Sequence, residues 1–183
     1  MISFFRDLPM LETPRLILRK MAFRDAVDVY AYARDPDVTR YLPWEPHRLL
    51  HDARAFVASV LQRYEVGESA PWGVELKADR RLIGAIELRL YPLHSRGDVG
   101  YALVRSEWGK GYTTEAVRAV LAFGFETLRL NRIEATCHID NVASARVMEK
   151  AGMSLEASFR QRSVYHGVLA DERLYAVLQG DPY

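Results

Sequence analysis

The chain has 183 residues, 49% of them hydrophobic and 27% charged, and this length and composition predict one domain over residues 1–183 with a substantial core. A formal net charge of +1 and the lack of any long apolar run argue against a nucleic-acid or membrane partner. A single cysteine, Cys137, excludes an internal disulfide framework, and no metal site is expected.

The first half of the chain predicts one strand, two amphipathic helices and a β-hairpin. Residues 1–7 lack the basic and apolar regions of a signal peptide, so a cytoplasmic protein is expected. Apolar periodicity places the elements at residues 15–20, 23–35, 50–66, 72–76 and 82–90. The segment between the two helices, residues 41–47, contains two prolines and is expected to be a loop.

The second half predicts four more strands and two more helices. A segment at residues 92–97 is expected to be a loop, and the elements follow at residues 99–104, 116–128, 133–139, 142–150, 155–164 and 170–178. The complete order, βααβββαβαββ, predicts an α+β fold with a mixed, mostly antiparallel central sheet of about seven strands and about four flanking helices.

Residues 108–116, Trp-Gly-Lys-Gly-Tyr-Thr-Thr-Glu-Ala, join a predicted strand to a predicted helix through a Gly-x-Gly turn. Such a turn directs free backbone N–H groups and the positive end of a helix dipole at one spot, where phosphate or pyrophosphate binds. A Walker loop is excluded because Val104 stands where its first glycine belongs, and a dinucleotide fingerprint is excluded because Thr114 replaces its third glycine.

This stretch resembles the phosphate loop of the GNAT superfamily, the acetyl-CoA-dependent N-acetyltransferases, which reads Arg/Gln-x-x-Gly-x-Gly/Ala. Trp108 and Thr113 depart from that pattern but suit the ribosomal-protein N-acetyltransferase branch, whose loops tend to read Trp-Gly-Lys-Gly-Tyr-x-Thr-Glu-Ala. Residues 141–152 resemble the family's Asn-x-x-Ser-x-x-x-x-Glu-Lys-x-Gly helix. The resemblance includes the element order and covers about residues 13–178.

The resemblance implies that acetyl-CoA enters a gap where the strand ending at Val104 separates from the strand ending at Ile139. Pantetheine would bond to the main chain of Leu103 and Val104, and an N–H near Leu103 would polarise the acetyl carbonyl. The remaining cofactor-binding residues would be Trp108, Gly109, Lys110, Gly111, Tyr112, Thr113, Asn141, Ser144 and Lys150. For Asn141, a purely structural helix cap is the alternative.

The implied reaction is direct attack of a primary amine on the thioester, and the residues that transfer protons stay open. Glu87 and His138 are candidate bases, although an ion pair with an arginine would equally explain Glu87, and a structural role is the commoner one for such a histidine. Ser144 is the candidate acid toward the leaving thiolate. Ser163 stands where the branch can have a catalytic glutamate, and Met148 where many members have a tyrosine.

A site without an obvious strong base favours an N-terminal α-amine, whose pKa of about 7.7–8.0 leaves more neutral amine than the value of about 10.4 for lysine. The first two helices, the loop at residues 41–47 and the last hairpin are expected to form the acceptor side. The aromatic residues in these loops either contact the end of a peptide or fill the core of the domain. They are Tyr41, Trp44, Tyr165 and His166. Asp171 matches a recurrent aspartate of the branch, and Cys137 is expected to be a buried thiol.

Two alternatives stay open at this point. An acetyltransferase with the same fold could act on a small amine such as an antibiotic, a polyamine or an amino acid, and an acidic acceptor pocket would favour it. A protein of another class could keep the CoA site as a sensor without catalysis. The sequence also leaves the oligomeric state open, a homodimer included.

Overall fold

The computed structural model describes residues 5–183 and shows one mixed sheet of eight strands in the order β1-β2-β3-β4-β5-β6-β8-β7. The strands are Leu11–Glu12 (β1), Leu16–Arg19 (β2), Trp72–Leu76 (β3), Leu82–Tyr91 (β4), Arg96–Leu103 (β5), Arg132–His138 (β6), Ser154–Tyr165 (β7) and Val168–Leu178 (β8). The α-helices are Ala26–Ala33 (α1), Pro36–Thr39 (α2), Leu50–Val66 (α3), Tyr112–Ala122 (α4) and Val142–Lys150 (α5). Residues 1–4, part of the segment judged for a signal peptide, lie outside the described residues.

The predicted α+β architecture is confirmed, with differences at short or irregular elements. β1 and α2 contain only two and four residues, too few for hydrophobic periodicity to reveal them. β5 begins inside the segment expected to be a loop, because its ladder with β4 extends to the pair Arg96–Tyr91. The helix predicted over residues 116–128 is α4 followed by a π-helical turn, Phe123–Thr127.

Helices cover both faces of the sheet. On one face α1 packs against α3, and Arg63 of α3 donates to Glu87 of β4. On the other face lie α4 and α5, where Tyr175 of β8 donates to Glu149 of α5 at 3.1 Å. Trp72 of β3 is fully buried in the core between these layers. Burial of apolar side chains on both faces therefore fixes the sheet between the two helical layers.

β5 and β6 are the only parallel neighbours among the strands of residues 5–183, and they soon separate. Their ladder runs from the pair Arg96–Arg132 to the pair Asp98–Glu134, whereas β5 continues to Leu103 and β6 to His138. A gap therefore opens between the carboxyl ends of the two strands, at the place that the family resemblance implied. The turn before α4 and the start of α5 follow these strand ends directly.

Over the same described residues, no helix is long and apolar enough to cross a membrane. No group of three or more His, Cys, Asp or Glu side chains in residues 5–183 is placed to hold a metal ion.

Candidate active site

A cleft of about 1760 Å³ occupies the gap between β5 and β6. The turn before α4 and the start of α5 line one end, and the loop at residues 41–47 and the end of β7 line the other. Because its walls come from both faces of the sheet, two ligands that enter from opposite faces can meet inside it.

The Gly-x-Gly turn forms an anion-binding cradle at one end of this cleft. Gly109 and Gly111 have φ values of +75° and +83°, which L side chains adopt only with strain. A Cβ at Gly109 would meet no atom within 4 Å, so the space above the turn is open. The first main-chain bond of α4 runs from Glu115 N–H to Gly111 C=O at 3.1 Å, which leaves the N–H groups of Tyr112 and Thr113 without an intrahelical acceptor.

Arg15 lies across this turn although it is about a hundred residues away in the chain. Its Nη1 donates to the carbonyl of Lys110 at 2.9 Å, and its guanidinium lies 4.4 Å from the centre of the Tyr112 ring. Glu115 holds it there by accepting from Arg15 Nε at 2.7 Å and from Thr13 Oγ1 at 2.6 Å. Burial raises the pKa of Glu115, but these hydrogen bonds outweigh that effect and lower it, so the carboxylate stays charged.

Several cations surround the same end of the cleft. Arg118, Arg146 and Lys150 line it with exposed side chains, and Arg118 Nη2 donates to the carbonyl of Lys150 at 2.5 Å. The Nζ of Lys110 instead donates a hydrogen bond to Glu107 Oε2 at 2.8 Å, and this bond anchors the turn. With the glycine cradle and Arg15, these charges fit a ligand that carries several phosphates, as CoA does.

The end of β5 presents main-chain groups to the gap. Val104 N–H donates to Ile83 C=O at 2.8 Å, one residue beyond the last β4–β5 pair, Gly84–Leu103, so the hydrogen-bonding alternation of the ladder continues to this point. By the alternation of such ladders, the N–H and C=O of Leu103 point away from β4 and toward the gap. Trp108 Nε1 donates to that Leu103 carbonyl at 2.9 Å, which ties the turn to the strand and leaves the Leu103 N–H to face the cleft.

Ser144, on the first turn of α5, pairs with a residue that the sequence did not single out. Its Oγ lies 2.8 Å from the Oη of Tyr101 of β5, so the two hydroxyls bridge the gap between the separated strands. Burial raises the pKa of Tyr101, which keeps the phenol protonated and able to donate. Asn141 Oδ1 accepts from the Ser144 N–H at 3.1 Å, so the helix-cap interpretation of Asn141 holds, although Asn141 also lines the cleft.

Glu87 lines the cleft on the face that carries α3, but it is already paired. It accepts hydrogen bonds from Arg63 and, at 3.1 Å, from Ser69 Oγ. The ion pair with an arginine, one of the two interpretations of this residue, is therefore present. Glu87 remains at the cleft wall with a neutralised charge.

β6 contributes two residues, and neither has the environment of a reactive group. The His138 ring packs 4.9 Å from Tyr41 and 5.2 Å from Tyr165, and its Nδ1 accepts from the Asp140 N–H at 3.1 Å. His138 is not among the residues in the described chain that line the cleft, which favours a structural role. Cys137 is buried as expected, and burial raises the pKa of its thiol to about 11, so it stays protonated.

The loop at residues 41–47 and the last hairpin, which the sequence assigns to the acceptor side, meet at the other end of the cleft. His166, in the turn between β7 and β8, has Nδ1 at 2.8 Å from Glu45 Oε1 and Nε2 at 3.1 Å from the Thr39 carbonyl. Both nitrogens face acceptors, so the pKa of His166 is raised by the bond to Glu45 and by that to Thr39. Trp44 packs against His47, 5.7 Å between ring centres, and helps to line this end.

The carboxylates along the cleft are nearly all paired with cations. Those within residues 5–183 are Glu12, Asp37, Glu87, Asp98, Glu107, Glu115 and Glu172. Each of the first six accepts a hydrogen bond from a lysine or arginine side chain. Glu172 differs, because its nearest cation, Arg162 Nε, is 3.9 Å away. The cleft is therefore not an acidic pocket.

Sequence reasoning missed Arg15, Tyr101 and Glu172 as residues of this site. Arg15 had no local signal, because its partner Glu115 lies a hundred residues away in the chain. Tyr101 and Glu172 are ordinary alternating strand residues in the sequence. Only the strand pairing shows which way they point.

Known proteins with similar sequences and folds agree with this interpretation of the cleft. Residues 15–154 match the family described as the acetyltransferase (GNAT) domain. The uncharacterized N-acetyltransferase YoaA of Bacillus subtilis is 32% identical over 93% of this chain and 97% of its own. A GNAT-family acetyltransferase of Bacillus anthracis has a crystal structure that superposes with a TM-score of 0.86 at 32% identity, covering 94% of this chain and all of that one. The ribosomal-protein-serine acetyltransferase of Escherichia coli is 31% identical over 52% of this chain and 54% of its own.

Proposed function

The chain belongs to the GNAT family and is an N-acetyltransferase that uses acetyl-CoA, and from this premise we propose that its acceptor is the N-terminal α-amine of a protein or peptide. The similarity to the ribosomal-protein-serine acetyltransferase, which covers about half of each chain, supports this acceptor class. The loop from Trp108 to Ala116, with its Trp-Gly-Lys-Gly-Tyr sequence, also supports the ribosomal-protein branch.

One observation favours an α-amine over a polyamine or an aminoglycoside. Polycationic acceptors need several uncompensated carboxylates, and all but one of the carboxylates along the described cleft are paired with lysine or arginine. A peptide N-terminus brings one positive charge and an apolar or polar chain. The aromatic wall formed by Tyr41, Trp44 and Tyr165 suits such a chain.

One half of the site receives the acceptor along the aromatic wall, and the other half binds and activates acetyl-CoA. Acetyl-CoA supplies a thioester whose carbonyl carbon is the electrophile. The N–H groups of the turn, together with Arg15, bind pyrophosphate, and the Leu103 N–H donates to the acetyl oxygen as negative charge builds on it. Ser144, oriented by Tyr101, donates a hydrogen bond toward the departing sulfur. Holding both partners in one gap supplies much of the rate by proximity.

Mass spectrometry of acetylated products tests the acceptor class. Purified protein and acetyl-CoA are incubated with three probes at equal concentration: a peptide with a free serine N-terminus and no lysine, the same peptide with a blocked N-terminus and one internal lysine, and spermidine. We expect acetylation of the first probe, with the added mass on the α-amine. Turnover of spermidine or of the internal lysine without turnover of the free N-terminus would contradict the proposal.

A further inference from the structure

Glu172 lies at the gap on the face of the sheet that carries α1 and α3. In the β6–β8 ladder, Glu172 is the partner of His138. His138 lies four residues after Glu134, the β6 residue of the last β5–β6 pair. Because alternate strand residues share a face, Glu172 is on the same face as Asp98, Glu134 and His138. Its side chain is 6% exposed and lines the cleft.

The immediate partners of Glu172 leave one carboxylate oxygen without a strong bond. Tyr165 Oη donates to Oε1 at 2.6 Å, and burial, together with this bond, raises the pKa of Tyr165. Oε2 has only Arg162 Nε at 3.9 Å, beyond hydrogen-bonding distance. The Arg162 side chain is 46% exposed, and its guanidinium stacks 4.3 Å from the Phe159 ring centre, so it neutralises the carboxylate weakly.

A bulge in β7 produces this arrangement. The β7–β8 register shifts between Phe159 and Ser163, and Gln161 adopts a φ of +50°. Asp171 Oδ1 accepts from the Gln161 N–H at 2.9 Å, which stabilises the bulge and gives Asp171 a structural role. The bulge therefore decides how Arg162 and Tyr165 face the carboxylate.

A buried carboxylate with incomplete compensation is costly unless something cationic reaches it. Here the open side is the cleft, and the ligand expected from that direction is an amine. We propose that Glu172 is the acceptor-binding carboxylate: it binds the incoming ammonium group and takes the proton that the nitrogen loses during acetyl transfer. This inference rests on the proposed function only in that the acceptor is an amine.

The proton balance of the step can be written from these residues. The ammonium releases one proton to solvent and remains beside Glu172 as the neutral amine. The nitrogen–carbon bond then forms as the carbon–sulfur bond breaks, and the nitrogen gives its second proton to Glu172. The sulfur takes one proton through the Ser144 hydroxyl, and that hydroxyl is restored by solvent. The products are one amide, one thiol and a protonated Glu172, which returns its proton to water.

The other carboxylates on this face of the described cleft are less suited to bind the acceptor ammonium group. Glu87 and Asp98 lie on the same face, but each accepts a hydrogen bond from its own arginine. The titratable and charged groups that face Glu172 are Tyr165 and Arg162 from β7 and His138 from β6, whereas Cys137 of β6 lies on the opposite face of the sheet. Of these, only Arg162 brings a positive charge that competes with the amine.

Steady-state kinetics of Glu172→Gln test the inference. The serine peptide is the acceptor, or spermidine if only spermidine is turned over by the wild type. General-base catalysis contributes about 100-fold or more, so we expect kcat/KM for the acceptor to fall by at least about 100-fold while the acetyl-CoA dissociation constant stays within about threefold. Glu134→Gln is the matched control, since Glu134 is a buried glutamate on the same face outside the cleft. Acceptor kcat/KM within about threefold of wild type in folded Glu172→Gln would overturn the inference.

Arg162→Gln gives a second, independent test that does not disturb a buried group. Removing the competing cation strengthens the field of Glu172, so we expect the acceptor KM to fall by about two- to fivefold at low salt, an effect that fades as salt rises. An unchanged or higher acceptor KM would contradict the inference. The two proposals fail separately: if spermidine alone is acetylated, the peptide acceptor is wrong, whereas a fully active Glu172→Gln shows that Glu172 is not the acceptor-binding carboxylate.

Discussion

Replacing Glu115 by glutamine should weaken both the fold and the cofactor site, because Glu115 is the anchor of Arg15. Its carboxylate accepts from Thr13 Oγ1 at 2.6 Å, from the Arg15 N–H at 2.9 Å and from Arg15 Nε at 2.7 Å. These bonds join the chain before β2 to the first turn of α4. In the variant, a neutral amide replaces an acceptor that three donors share, and its NH2 group competes with the guanidinium for space.

The magnitude follows from these bonds and their exposure. Hydrogen bonds to a charged group contribute about 1.5–3 kcal/mol each when buried. The Arg15 side chain is 46% exposed, so solvent screening reduces its part. We therefore expect a loss of about 1–2 kcal/mol in unfolding free energy. If Arg15 no longer lies over the turn, the acetyl-CoA dissociation constant should rise by about tenfold, which corresponds to about 1.4 kcal/mol.

The pKa of Glu115 adds a pH signature with a defined sign. Because hydrogen bonding lowers this pKa in the folded state, the wild type gains stability above the ordinary carboxyl value of 4.5 and loses it as the pH falls below that value. Glu115→Gln should lack this part of the acid dependence. Urea unfolding at pH 7 and pH 4, together with calorimetric titration of acetyl-CoA, measures all three quantities.

Glu156→Gln is the control for this experiment. Glu156 pairs with Arg132 near the other edge of the sheet, with 40% of its side chain exposed, and this pair should not affect acetyl-CoA affinity. If Glu115→Gln remains folded and binds acetyl-CoA as tightly as the wild type, Arg15 does not shape the cofactor site, and the reasoning is refuted.

Four further predictions use single residues. Tyr101→Phe should lower kcat by about fivefold with little change in acetyl-CoA KM, since one hydrogen bond to Ser144 contributes about 1 kcal/mol; an unaltered kcat contradicts the pairing. Asn141→Ala should cost about 1 kcal/mol in urea unfolding through loss of the α5 cap, whereas Asn141→Ser should keep most of it. Cys137 should react slowly with iodoacetamide at pH 7.5 and rapidly once the chain is unfolded, because burial raises its pKa to about 11; fast labelling of the folded protein would disagree. His166 stabilises the fold below its ordinary pKa of 6.5, and this contribution disappears as the pH rises through its higher folded value, so His166→Gln should flatten that part of the melting-temperature profile.

The sequence predicted the elements that depend on local signals. Gly67 ends α3 in the left-handed region at φ +78°, and the Gly-x-Gly turn adopts the conformation that only glycine tolerates well. Asn141 caps α5 through its side chain, as its position before an amphipathic segment indicated. The gap between β5 and β6 was implied by family resemblance rather than by periodicity.

The contacts that complete the site join distant segments, and the sequence carries little record of them. Arg15 reaches Glu115 across a hundred residues, and Tyr101 meets Ser144 across forty-three. Their pairing depends on strand register and on the separation of two strands. Glu172 shows the same limit, because an alternating polar residue on the last strand looks solvent-facing until the bulge in β7 and the strand order are known.

The binding of acetyl-CoA to the Gly-x-Gly turn is tested most directly by calorimetric titration of wild type, Gly109→Asp and Gly167→Asp. The two glycines have similar φ values, +75° and +79°, and a Cβ at either meets no atom within 4 Å, so the substitutions impose similar backbone strain. Only Gly109→Asp places a carboxylate in the space assigned to pyrophosphate. We predict that acetyl-CoA binds wild type and Gly167→Asp alike, and Gly109→Asp about 100-fold more weakly, equivalent to about 2.7 kcal/mol. Equal affinity in all three proteins would contradict the cofactor site described here.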